Sequence, residues 1–185
     1  DGEGTWYRKS CPSGAATVVW GPVGGGGSPS VLAEDALDLA TIPLPAAQIN
    51  PPPGSDQIVN VPSWLWVENF LAVTATASVG AVSVTVTARP VRVDWAMGNG
   101  DKVTCNDGGV AYDASRSPNE QHTTCSYTYR SSSAARPSGM FSIRATAVWH
   151  VTWVASGVNA TGDLGLINRS TDIAVRVAEI QTVNQ

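Results

Sequence analysis

Residues 82–88 read Val-Ser-Val-Thr-Val-Thr-Ala, and residues 71–77 read Leu-Ala-Val-Thr-Ala-Thr-Ala. Apolar and hydroxyl side chains alternate along the first stretch with a period of two, which is typical of a β-strand with one buried and one wet face. Val79-Gly80-Ala81 lies between the two stretches and forms a tight connection. We therefore predict two adjacent strands here, and they set the fold class expected of the rest of the chain.

Similar alternation recurs on the C-terminal side of this pair. Trp149, Val151 and Trp153 are predicted to share one face of a long strand. The strands expected from these patterns lie near residues 57–67, 71–77, 82–88, 91–95, 126–130, 140–154 and 173–183. Six to eight strands joined by turn signals predict an all-β fold, specifically a β-sandwich.

The first third of the chain has a different character. Ser28 and Pro29 are suited to the start of a helix near residues 29–40, where apolar residues recur at helical spacing. A Gly-rich stretch precedes this helix and a Pro-rich stretch follows it. We predict an irregular N-terminal arm over residues 1–56, containing one short helix, and a sandwich over residues 57–185.

The composition indicates a secreted protein. Only 14% of the 185 residues are charged, against roughly 25% in a typical soluble domain, and Ser, Thr, Asn and Gly must supply the solubility. There is no basic stripe for nucleic acid and no apolar run long enough to span a membrane. The opening Asp-Gly-Glu-Gly is interpreted as a mature end left after processing.

Three cysteines, Cys11, Cys105 and Cys125, are present. Cys105 and Cys125 flank a polar, turn-rich segment, and a disulfide closing that loop would stabilise the fold by about 3 kcal/mol. The alternatives are two reduced thiols, or a metal site without the usual accompanying pairs. Cys11 is left unpaired or bonded to another chain.

Residues 82–147 resemble the polycystic kidney disease-type (PKD) domain, an immunoglobulin-like sandwich. The family signature Trp-Asp-Phe-Gly-Asp-Gly is represented by Trp95-Ala96-Met97-Gly98-Asn99-Gly100. The family's His-x-Tyr is represented by Tyr127-Thr128-Tyr129, and its Gly-x-Tyr-x-Val by residues 139–143. The resemblance implies that Trp95 packs between sheets, that Gly98 and Gly100 form a tight turn, and that Tyr129 closes the core from the opposite strand.

The chain also resembles a group of secreted actinobacterial proteins that combine such a domain with a Leu-Pro-x-Pro stretch and a Pro-x-Trp-Leu-Trp strand. Here these are Leu44-Pro45 and Pro62-Ser63-Trp64-Leu65-Trp66. The resemblance implies an extracellular, cell-surface location and a role as a spacer or adhesion module without catalysis.

The sequence offers little for catalysis. His122 and His150 lack the surroundings of a Ser-His-Asp site, and no Gly-x-Ser-x-Gly motif occurs. The carboxylates considered for glycoside hydrolysis are Glu34, Asp35, Asp38, Glu68, Asp94 and Asp163. Asp101 and Asp107 are considered for Ca²⁺, but their segments are better suited to turns. We expect no enzyme activity, no catalytic residues, no metal and no cofactor.

Two tryptophan pairs are the candidate binding residues. Trp64 and Trp66 share a strand face, as do Trp149 and Trp153. Exposed aromatic side chains in a row can stack on a ligand, whereas the alternative for each pair is filling the core of a sandwich.

The function expected from the sequence is non-enzymatic. It is a structural or assembly protein of the bacterial cell surface that binds itself or a protein partner through its arm and sheet edges, since an extended arm is suited to strand addition. The alternative is a carbohydrate-binding module that uses the exposed tryptophans.

Overall fold

The computed structural model describes residues 28–180 with their side chains and residues 4–10 and 16–22 as backbone. Strands hold 49% of the chain and helices 9%, which confirms the all-β class. The strands are β1 (Gly4–Ser10), β2 (Ala16–Pro22), β3 (Ala47–Asn50), β4 (Gln57–Ile58), β5 (Pro62–Val67), β6 (Val73–Val79), β7 (Val82–Ala96), β8 (Lys102–Cys105), β9 (Ser126–Thr128), β10 (Phe141–Ser156), β11 (Ala160–Val175) and β12 (Val177–Ala178), with helix α1 at Pro29–Leu39 and a short 3₁₀ helix at Pro118–Glu120.

The main sheet has the strand order β11-β10-β7-β6, and β8 also pairs with β7. A three-stranded sheet has the order β3-β5-β9, and β12 pairs with β4 in parallel. The alternating stretches at residues 71–77 and 82–88 form adjacent strands in this sheet. Seven consecutive antiparallel pairs join β6 and β7, from Val73 opposite Ala88 to Val79 opposite Val82.

Contacts divide the chain into two compact units that interleave in sequence. The first comprises Asp1–Ile42, Ala72–Arg89 and His150–Leu166, and the second comprises Pro43–Leu71, Pro90–Trp149 and Ile167–Gln185. Because each unit draws on three separate stretches, this division does not test a single boundary in the sequence. The boundary between residues 56 and 57 stays a prediction.

The first unit contains α1, which is the one short helix expected. Leu32, Ala33 and Ala36 are its buried side chains, and the helix packs against β6. Ser28 occupies the N-cap position, but its hydroxyl bonds Ser30 Oγ at 2.8 Å and not a backbone N–H. The helix therefore starts at Pro29 without the side-chain cap that the sequence suggested.

The core of the second unit is built from both of its larger sheets. Ile49, Leu65 and Val67 come from the three-stranded sheet, and all are at most 6% exposed. The main sheet contributes the larger set of buried residues: Val93, Trp95, Phe141, Ile143, Ala145 and Val175. Burying this apolar area is the main force that holds the unit together.

Three expectations for local structure are corrected. Residues 4–10 and 16–22 form an antiparallel hairpin, where the sequence suggested an irregular arm. β3 lies in the Pro-rich stretch, pairs with β5 and places Ile49 in the core. The strand expected over residues 173–183 is replaced by the end of β11, which begins at Ala160, and by the short β12. Pairing with β10 extends β11 over residues with few apolar side chains.

Pro90 does not separate two strands as expected, because β7 runs through it. The ladder with β6 ends at Ala88, and the ladder with β8 begins at Val93. Pro90 lies between the two ladders, so its missing N–H leaves neither of them incomplete.

Candidate functional site

The sequence signature at residues 95–100 forms a buried strand end followed by a tight turn. Trp95 is 1% exposed, and Gly98 has a φ of +79°. A Cβ at Gly98 would lie 2.7 Å from the carbonyl oxygen of Ser142, so only glycine fits. Gly100, at φ +110°, completes the turn.

Tyr129, which directly follows β9, is fully buried and contacts this turn. Its hydroxyl donates to the carbonyl oxygen of Met97 at 3.0 Å, and its ring stacks on Phe141 with centroids 5.3 Å apart. Burial raises the pKa of Tyr129, so its phenol stays protonated and remains a donor. Of the residues singled out by the signature, Trp95 and Met97 are buried and serve packing, whereas Asn99 is partly exposed and donates to Asp101 and Tyr127.

The cystine is confirmed between Cys105 and Cys125, whose Cα atoms are 5.5 Å apart. The loop that it closes folds back over β5. Val67 N–H donates to the carbonyl oxygen of Gly108 at 2.7 Å, and Trp64 Nε1 donates to the carbonyl oxygen of Val110. Gly109 lies against the backbone of Trp66 with no room for a Cβ. Cys11 lies outside the described residues.

Trp64 and Trp66 lie together on the outer face of β5. Ser63, Leu65 and Val67 are buried on the other face, and the two tryptophan residues are partly exposed, although Trp66 Nε1 itself is buried and has no hydrogen-bond partner. Trp64 meets Tyr112 of the cystine loop edge-on, with ring centroids 5.4 Å apart. Tyr112 was not among the predicted binding residues, since a loop residue gives no periodic signal in the sequence.

Trp149 and Trp153 also share a face, but that face is the core. They are 1% and 8% exposed, so the core alternative is the one that the structure shows for this pair. Gly162 of β11 lies directly against the indole of Trp153, where a Cβ would overlap the ring. A ligand would find no exposed aromatic surface on these two residues.

The ionisable residues considered for catalysis do not converge. His150 Nε2 lies 2.7 Å from Asp163 Oδ2 on an exposed part of the first unit. Donation from Gly165 N–H and from His150 lowers the pKa of Asp163. Asp94 accepts hydrogen bonds from Arg92 at 3.1 Å and from Thr104 at 2.9 Å. Glu34 and Asp38 are exposed on α1, and Glu68 follows β5.

The oxygens considered for Ca²⁺ accept hydrogen bonds from neighbouring groups. Asp107 accepts from Gly109 N–H at 2.9 Å and from Thr124 Oγ1 at 2.8 Å. Asp101 accepts from Tyr127 and Asn99 side chains. Across the described residues, no group of three or more His, Cys, Asp or Glu could hold a metal ion.

Two shallow grooves in the second unit meet at Arg176. One is lined by Asp56 and Met140, the other by Ser132 and Glu179. Asp56 binds the Arg176 guanidinium in a two-pronged ion pair, with N–O distances of 2.5 and 2.7 Å. This pair ties the residue before β4 to the residue before β12.

The sheet edges are the remaining surface of functional interest. Within the described part of the chain, β6 pairs only with β7 and β11 only with β10. The β1–β2 hairpin pairs only with itself in that same part. Unpaired edges offer a row of backbone donors and acceptors to another strand.

Comparisons with known proteins identify no relative: no protein family, curated protein or solved structure matches the chain. Among the described residues, no helix has the length and apolar character needed to cross a membrane.

Proposed function

We propose that this chain is a secreted, non-enzymatic structural or assembly protein of the bacterial cell surface. It docks on a copy of itself or on a protein partner through its N-terminal arm and its sheet edges. The observation that carries the proposal is the set of strands left with one unpaired side. β6 and β11 bound the main sheet, and the separate β1–β2 hairpin is of a size that needs support from other elements to be stable.

An immunoglobulin/PKD-like sandwich is the architecture that we assign to the second unit. Its support is the buried Trp95, the tight turn at Gly98 and the bond from Tyr129 to Met97 across the core. Such sandwiches serve in many cell-surface proteins as rigid bodies that present edges and loops.

The extracellular location is supported by the cystine. Cys105 and Cys125 are 3% and 1% exposed, and buried disulfides of this kind persist in oxidising compartments. The charge-poor surface is in keeping with the same location.

Removal of residues 1–27 is expected to weaken docking. We predict that the full chain co-sediments with an actinobacterial cell-envelope fraction, and that the shortened chain binds at least about tenfold more weakly, a loss of about 1.4 kcal/mol. The matched control replaces residues 1–27 with a Gly/Ser segment of equal length. A full chain that stays monomeric and remains in the supernatant would refute the proposal.

Carbohydrate binding is a second candidate, favoured by the outer face of β3 and β5. Gln48 is opposite Trp66 in the register, and Asn50 is opposite Trp64. Amide groups beside partly exposed aromatic rings form the combination of polar and apolar contacts that small-ligand sites use.

Trp64→Ala is expected to weaken binding to insoluble polysaccharide by about tenfold or more, because aromatic anchors dominate such contacts. Depletion assays with peptidoglycan, chitin and cellulose measure this effect, and a thermal melt checks the fold. Leu71→Ala, which removes another exposed apolar side chain of the same unit, is the control. If Trp64→Ala bound these polysaccharides as well as Leu71→Ala does, this face would be excluded as a sugar site.

A further inference from the structure

We propose that two copies of this chain associate by antiparallel pairing of their β6 strands. This inference rests on the proposed function, since it names the partner of one sheet edge. β6 reads Val-Thr-Ala-Thr-Ala-Ser-Val over residues 73–79. The order of chemical types is the same in both directions from the central Thr76.

That symmetry is what a two-fold interface requires. When two such strands pair antiparallel about Thr76, each residue meets one of its own kind, because a two-fold contact uses the same surface on both copies. The facing pairs are Val73 with Val79, Thr74 with Ser78, Ala75 with Ala77, and Thr76 with Thr76. No bulky side chain meets a small one, and no charge is brought into the interface.

The same kind of ladder already exists on the other side of the strand. Thr76 Oγ1 lies 2.9 Å from Thr85 Oγ1, and Ser78 Oγ donates to Ser83 Oγ at 3.0 Å. All seven residues of β6 are in register with β7. Pairing with a second β6 would extend these rows of hydroxyl groups across the two-fold axis with the strand spacing of about 4.8 Å.

β6 also lacks the features that keep an edge strand from pairing. It contains no charged residue, no proline and no glycine, which are the usual protections of exposed edges. β11, the opposite edge of the same sheet, carries Asp163, Arg169 and Asp172, and Gly165 breaks its regularity with a φ of +80°. The contrast selects β6 as the edge that accepts a strand.

The strand is accessible in the described part of the chain. Thr74, Thr76 and Ser78 are exposed, and the four residues between and beside them are only partly buried. α1 packs against β6 and leaves the hydroxyl-bearing face open. We therefore assign the β6 strand of a second copy as the strand that pairs with this edge. The test must distinguish it from the β1–β2 hairpin of another molecule.

Sedimentation velocity of the full chain from about 1 µM to about 1 mM covers the affinities of small interfaces. We expect a reversible monomer–dimer equilibrium. Thr76→Lys places two like charges directly opposite each other at the axis and is expected to raise the dissociation constant at least about tenfold. Thr85→Lys is the matched control, since Thr85 is the exposed partner of Thr76 one strand inward from the edge.

Cross-linking tests the register. Directly opposite residues of an antiparallel pair have Cα atoms about 4.5–5.5 Å apart, within the range of a disulfide. Thr76→Cys in a Cys11→Ser background is expected to form a covalent dimer with oxidised glutathione as the oxidant, and Thr85→Cys in that background is expected to stay monomeric.

Several results would overturn the inference. These are a wild-type chain that remains monomeric over the whole range, equal cross-linking by both cysteine variants, or a dimer that disappears when residues 1–27 are removed, which would identify the hairpin as the occupant. The envelope sedimentation described above reports on the proposed function separately. If the Thr76→Lys variant lost dimerisation but still sedimented with the envelope, docking on another partner would remain supported.

Discussion

Replacement of both Cys105 and Cys125 by alanine is expected to lower the free energy of unfolding by about 3 kcal/mol. The cysteines are separated by 20 positions, and in the chain-entropy account a loop of that length gains this much freedom in the unfolded state when the cross-link is removed. Urea unfolding followed by tryptophan fluorescence measures the loss. Cys11→Ser is the control and is expected to leave the unfolding midpoint unchanged.

The cystine loop also supports β5, so a local effect should accompany the global one. Leu65 N–H donates to the carbonyl oxygen of Cys125 at 3.0 Å, and Val67 N–H donates to Gly108. Without the cross-link, residues 106–124 should become a site of proteolytic cleavage in the native state. A double variant with wild-type stability and wild-type protease resistance would show that the loop is held by its other contacts alone.

The parts of the fold that could be predicted are those set by local pattern. The alternation at residues 82–88 determines a strand because one face must be buried, and α1 follows from apolar spacing before Pro43. The Cys105–Cys125 disulfide was also predicted correctly, because a polar, turn-rich segment can bring the two cysteines that flank it together.

The elements that the sequence missed depend on pairing with distant strands. β3 is only four residues long and lies among prolines, yet it pairs with β5. The side chain of Asn69 binds the backbone just before β3. The Asn69 side chain accepts from Ala46 N–H at 2.7 Å and donates to the carbonyl oxygen of Leu44 at 2.8 Å. Neither the pairing nor the amide bonds leave a periodic signal, so propensity alone cannot find this strand.

The tryptophan pairs show where pattern reasoning stops for a candidate site. Alternation correctly groups Trp64 with Trp66 and Trp149 with Trp153, because side chains two or four apart share a face of a strand. It does not say which face is inward. β5 buries Ser63 and Leu65 and leaves the indoles outside, whereas β10 buries the indoles themselves. That choice depends on long-range packing, which local alternation does not encode.

Trp95 and Trp149 are the two largest side chains buried to below 2% exposure, and the contribution of Trp95 to its core is non-polar. Val93 of β7 and Met97, just after β7, are fully buried with it in one cluster. The indole Nε1 has no hydrogen-bond partner, so removing the ring leaves no polar group behind. The effect of truncating Trp95 should therefore come from lost burial and from the cavity that remains.

Trp95→Ala is expected to reduce the free energy of unfolding by about 3–5 kcal/mol, the usual cost of removing a buried tryptophan. Since a domain is stable by only about 5–15 kcal/mol, this variant should unfold at a much lower urea concentration, or fail to fold. Trp95→Phe retains most of the apolar volume and should recover more than half of the loss. Tyr129→Phe removes only the bond to Met97 and should cost about 1–3 kcal/mol, because a buried carbonyl oxygen loses its donor. If Trp95→Ala were less costly than Tyr129→Phe, the core would not be organised around this indole, and the assignment of an immunoglobulin-like sandwich would lose its main support.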